Sequence, residues 1–259
     1  MKVSIHKEHV YYLFIIWYIC GGFLLGFDLL PAWMNWSNGV FLLLAGLVGG
    51  IYFFVAFGRP GVLYGLFVFL ATMGCEALGV HYGILFGSYI YHGAFGPEVL
   101  GVPVGIGFAW VMVMATSHAF TTRILARMTS NRLLFPLLAA LTGMVIAVTM
   151  DLILDPVAAA REYWTWEKSG PYFGIPTQNF IGWAVLSFVL HLLKNLFMIP
   201  VKPANVWWEE RMIWLYALIV ALFSMLAVQE GVEGAAYITI MITALWVVLY
   251  IRGRKGEML

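Results

Sequence analysis

The chain has 259 residues, 63% of them hydrophobic and only 10% charged, with a net charge of +1. Soluble domains carry roughly 25% charged residues, so this composition excludes a globular domain with an appended anchor and leaves a polytopic membrane protein. The 14 Lys and Arg residues form no stripe that could follow a phosphate backbone, which argues against nucleic acid as a partner.

Apolar stretches of membrane-spanning length, about 17–25 residues each, fall near 10–30, 39–57, 61–85, 103–120, 133–154, 180–199, 212–228 and 235–251. The expected fold is all-α: a polytopic transmembrane helix bundle of about eight spans, forming a single transmembrane domain over 1–259. Only Lys2 and Lys7 precede the first stretch and no small-residue cleavage site follows Asp28, so it reads as a retained helix. Counting Lys and Arg by side puts twelve of the 14 on one face and leaves Arg161 and Lys168 on the other. Because basic residues favour the cytoplasm, both termini are expected to be cytoplasmic, in a protein of the cell membrane. Cys20 and Cys75 both lie in apolar stretches and imply neither a disulfide nor a metal site.

Four carboxylates interrupt or end these stretches on the same expected side: Asp28, Glu76, Asp151 and Asp155. An acid at the bilayer centre costs about 2.5–3.5 kcal/mol even on lenient scales, so each needs a partner, water or a task. In the third stretch, Gly65, Thr72, Glu76, Gly79 and Gly83 share one helix face. Small residues let a second helix approach, which turns Glu76 into the bundle. A hydrogen bond across a helix contact is the plainer alternative for Glu76.

Asp151 and Asp155 are four residues apart and share a face one turn from each other. Two carboxyl groups so close tend to divide one proton, leaving an acid beside an anion at neutral pH. Asp155 has a structural alternative, because Asp before Pro156 is the usual order of an N-cap and a first helical residue. A short interfacial helix near 156–168 would then carry Tyr163, Trp164 and Trp166. Asp151 has no such alternative. The aromatics Trp164, Trp166, Tyr172 and Trp183 bracket the longest connection; rings within about 6 Å of a cation stabilise it. No histidine pair has metal-ligand spacing, and Ser187, His191 and Lys194 form a polar face suited to helix contact.

These residues resemble the integral-membrane carotenoid hydratases (carotenoid 1′-hydroxylases of the bisanhydrobacterioruberin hydratase type). The shared pattern begins with Glu76-x-x-Gly79, Phe86-Gly87-x-Tyr89-x-Tyr91 and Leu100-Gly101-Val102-Pro103 leading to Trp110. It continues with Asp151-x-x-x-Asp155-Pro156-Val157-Ala158, Trp164-x-Trp166 and Gly170-x-Tyr172-x-Gly174-Ile175-Pro176, and ends at Asn179-Phe180-x-Gly182-Trp183. Tyr82, Leu85 and Gly107 depart from it. The resemblance implies addition of water across the terminal C1–C2 double bond of an acyclic carotenoid, without redox cofactor or metal. It also implies a lipid-soluble substrate reaching the site through membrane lipid, and association with other enzymes of the carotenoid pathway.

That chemistry needs a proton donor, stabilisation of a tertiary cation and one positioned water. We expect Asp151 as the donor with Asp155 and Glu76 as partner carboxylates, and Asn179 helping to hold the water. Tyr89, Tyr91, Trp110, Trp164, Trp166, Tyr172, Asn179 and Trp183 are the expected substrate-binding residues. Three alternatives stand beside this: a lycopene cyclase-like enzyme, an aspartate-rich prenyltransferase and a proton-coupled transporter. The prenyltransferase wants a second acidic motif, and the transporter wants repeated broken helices; the chain has neither.

Overall fold

A computed structural model describes residues 2–125, 134–198 and 205–255. Within them run eight helices: α1 Lys2–Gly26, α2 Trp36–Phe57, α3 Arg59–Tyr82, α4 Val104–Leu125, α5 Phe135–Ala160, α6 Thr177–Phe197, α7 Val206–Gln229 and α8 Glu233–Lys255. All eight are long and apolar enough to cross a membrane. α2 and α7 begin several residues before the apolar stretches at 39–57 and 212–228. α2 begins at Trp36-Ser-Asn, and α7 begins where Asn205 accepts a hydrogen bond from the Trp208 amide at 3.2 Å.

α4 is the hub, packing against α2, α3, α5, α6, α7 and α8. Close approach holds it there, because lipid tails remove the hydrophobic drive between helices and leave packing to do the work. At Gly46 of α2 a methyl group would lie 2.5 Å from the Phe108 carbonyl oxygen, so only glycine permits the α2–α4 contact. α1 lies outermost, against α2 and α7.

The connections 27–35, 83–103, 161–176 and 230–232 gather at one end of the bundle, and the middle two carry short strands. β1 (Tyr89–Tyr91) pairs antiparallel with β4 (Trp164–Trp166), setting Tyr89 opposite Trp166 and Tyr91 opposite Trp164. β2 (Glu98–Val99) and β3 (Val102–Pro103) form a hairpin whose two-residue turn, Leu100-Gly101, has positive φ at both positions.

The structure corrects the expected helix at 156–168. α5 runs on through Pro156 to Ala160, and residues 164–166 are strand. A proline inside a helix lacks the N–H that would bond to the carbonyl four residues back, here that of Leu152. The Tyr172 hydroxyl donates to this carbonyl at 3.1 Å and so makes the continuation tolerable. Asp155 is therefore a helix-interior residue rather than an N-cap. Trp-Thr-Trp alternates as a half-buried strand does, with Thr165 exposed and both tryptophans partly covered.

Candidate active site

Glu76 lies on the last two turns of α3 and is buried. Three donors converge on it: the Tyr89 hydroxyl, the Tyr91 hydroxyl at 3.0 Å and the Trp110 indole N–H at 2.9 Å. A carboxylate has only acceptor positions to offer, and this arrangement fills most of them. Gly79, one turn further on, makes room: a methyl group there would stand 2.9 Å from the Tyr89 ring. Burial first, then the neighbouring Glu76 carboxylate, pushes both phenols above their ordinary range, so they remain donors at any working pH.

Across from this group, Asp151 and Asp155 project from successive turns of α5, and both are buried. Asn179, in the first turn of α6, donates its side-chain amide to Asp155 and, at 3.2 Å, to Asp151. The other oxygen of Asp151 is buried without a hydrogen-bond partner among the described residues.

Between the two groups lies a cavity of about 80 Å³. Glu76, Asp155 and Asn179 lie in its wall, together with Tyr89, Tyr91, Trp110, Trp164, Trp166 and Trp183. Strand alternation accounts for four of these rings: Tyr89, Tyr91, Trp164 and Trp166 share one face of the β1–β4 ribbon while Ile90 and Thr165 point away. Trp110 and Trp183 stack at 4.1 Å between centroids, and the Trp166 indole donates to the Phe86 carbonyl at 3.1 Å. Among the described residues no Lys, Arg or His lines the cavity.

Two residues expected from the sequence stand outside this wall. Asp151 sits one turn from Asp155, behind Asn179, and Tyr172 is occupied with the Leu152 carbonyl. Asp28 is exposed in the turn after α1, so three of the four acids converge and the fourth does not. Phe86, Phe95 and Ala158 also line it, and Leu42, Ile106, Ala109, Leu154 and Phe223 complete the lining without a sequence signal, since an apolar residue in an apolar span is unmarked. No group of three or more His, Cys, Asp or Glu side chains among the described residues is arranged to hold a metal ion.

The sequence profile of a family described as carotenoid biosynthesis protein matches residues 37–249, which include every residue of this cavity. The chain belongs to the carotenoid biosynthesis protein family. Neither the curated proteins nor the solved structures hold a match to it. It is an integral membrane protein with a role in carotenoid biosynthesis, and that role implies a lipophilic carotenoid as substrate.

Proposed function

We propose that the protein is a carotenoid 1,2-hydratase, adding water to the terminal trisubstituted alkene of an acyclic carotenoid end group. The observation that carries this reading is the placement of Asp155 and Glu76 in the wall of one aromatic cavity that, among the described residues, holds no basic side chain. The carboxylic acid of Asp155 gives its proton to C2, the π bond breaks, and a tertiary cation forms at C1. Water adds to C1 and returns a proton to the Asp155 carboxylate. The alkene and one water become a tertiary alcohol, and the enzyme is restored with no redox change.

Asp155 replaces Asp151 as the donor in this scheme because it is the aspartate that lines the cavity. Asp151 shares the Asn179 amide with it and positions it, and two carboxyl groups so held retain one proton between them. Glu76, with its three donors, serves as the fixed anion facing the cation. A unit charge about 4 Å from its opposite gains roughly 4 kcal/mol at an effective dielectric near 20, on the order of a thousandfold in rate. Ring faces add to this, and Trp is the best of them.

Expression in a host that accumulates an acyclic carotenoid tests the proposal. Each converted end should gain the mass of one water, with oxygen-18 entering from labelled water. Pigment of unchanged mass with a ring at its end would make the protein a cyclase, in which an internal double bond captures the same cation. Label arriving from dioxygen would make it an oxygenase and end this mechanism.

A further inference from the structure

A second apolar chamber, of about 170 Å³ and partly open to the outside, lies between α1, α2 and α7 beside the active-site cavity. Leu42, Phe95 and Phe223 line both, so the two volumes lie on either side of these three side chains. Polar groups in the chamber wall are turned to the main chain. Trp17 donates to the Ser37 carbonyl at 3.3 Å, Tyr18 to that of Leu218 at 3.0 Å, and Asn38 to that of Ala94 at 3.4 Å. What remains is a lumen lined mostly by apolar side chains. On the α1 side the wall includes Gly21 and Gly22, and a methyl group built on Gly21 would meet nothing within 4 Å.

We infer that this chamber holds the polyene chain of the substrate, and that the α1 wall at Gly21 and Gly22 decides which chain lengths are accepted. The inference rests on the carotenoid end-group reading of the neighbouring cavity. At about 80 Å³ that cavity is well below the roughly 300–1,000 Å³ of a pocket that holds a whole drug-sized ligand, so it takes an end group and not the chain. A long conjugated chain whose end group reaches Asp155 must continue somewhere, and the apolar volume on the other side of Leu42, Phe95 and Phe223 is where it runs. α1 is the outermost helix, so a lipid-soluble chain enters there from the bilayer.

The test fills the chamber without touching the catalytic groups. Gly21→Leu and Gly21→Trp place a side chain into open space, and both replace glycine by a better helix former. Two probes are used with full-length purified protein: an all-trans acyclic carotenoid, and a three-isoprene-unit terpene ending in the same dimethyl-substituted alkene. Carotenoid retained by the wild-type protein, read from its visible absorption, should fall at least roughly tenfold in Gly21→Trp and less in Gly21→Leu, because a clash rejects the longer ligand. Conversion of the carotenoid should fall in step, while conversion of the short terpene stays within about threefold of wild type. Undiminished carotenoid retention in Gly21→Trp would overturn the inference and leave the chamber to lipid acyl chains. Equal loss with both probes would overturn it as well. Should wild-type protein retain carotenoid but hydrate neither probe, the hydratase reading fails on its own, and the retention series still decides who occupies the chamber.

Discussion

The two ends of this bundle both bury ionisable side chains, and they do so in opposite ways. At the end away from the connecting strands, Arg123 of α4 meets Glu209 of α7 at 2.6 Å, with side chains only 4% and 5% exposed. Lys194 donates to Asn195 at 2.7 Å and lies over the Phe57 ring, while His118 and His191 bond to Tyr52 and Ser117. Arg123 with Glu209, Tyr52 with His118 and Ser117 with His191 each join two helices there, as polar glue in a membrane bundle does. At the strand-bearing end three acids gather around a cavity with hydrogen-bond donors and, among the described residues, no basic side chain in its wall. A region that balances its charges holds helices together. A region that gathers acids around an aromatic cavity is the arrangement the proposed cation would need.

The largest expected effect tests that contrast at its centre. Asp155→Asn keeps the size and hydrogen bonding of the side chain but removes the acid. It should lower turnover by about 10²–10⁴-fold, the usual contribution of general acid catalysis, while the protein still folds. Asp151→Asn, one turn outside the wall, should cost on the order of tenfold, because it disturbs only how Asp155 is held. Single-turnover rates on detergent-purified variants of matched melting temperature give both values. If Asp151→Asn were the more damaging, the donor would be the residue that sequence spacing favours.

A change at the opposite end should do the reverse. Arg123→Ala leaves Glu209 buried without its guanidinium and should destabilise the protein by about 3–5 kcal/mol, with turnover per folded molecule nearly unchanged. Arg123→Met combined with Glu209→Leu should recover most of the lost stability. Thermal unfolding of the two variants in one detergent measures the difference. A loss of turnover without a loss of stability would mean that this end also takes part in the chemistry.

The eight spans were legible in the sequence because crossing a bilayer demands only apolar length, which composition records directly. Glu76, Asp155 and Asn179 were legible for a related reason: an acid or amide in hydrocarbon is costly enough to announce itself. The ribbon that turns four rings inward was not. Tyr-x-Tyr and Trp-x-Trp are three-residue strands far apart in the chain, and an interfacial aromatic belt has the same look. Asp155-Pro156 misled for a local reason, since the pair does form N-termini in general, whereas α5 continues through it with the distant Tyr172 hydroxyl on the carbonyl that the proline leaves unbonded. Leu42 and Phe223 could not be singled out, as spans that are apolar on every side have no period to read.

Tyr172 gives the smallest effect and marks the border of the site. The sequence placed it with the substrate-binding aromatics, whereas its hydroxyl serves the carbonyl that Pro156 leaves unbonded. Tyr172→Phe keeps the ring against Phe173 and Phe180 and removes only that hydrogen bond. The expected cost is about 1–2 kcal/mol of stability, since the Leu152 carbonyl loses its one donor, with turnover within about threefold of wild type. Titration gives a second readout. Burial first, then the nearby Asp151, pushes the Tyr172 phenol from the ordinary value of 10.0 up to about 12. The folded chain thus holds this proton more tightly than the unfolded chain does. The resulting stabilisation is complete below pH 10 and fades as pH rises through about 12. Wild type and Tyr172→Phe should therefore differ most in stability near neutral pH and converge in strong alkali. A turnover loss approaching that of Asp155→Asn would move the border outward and return Tyr172 to the substrate.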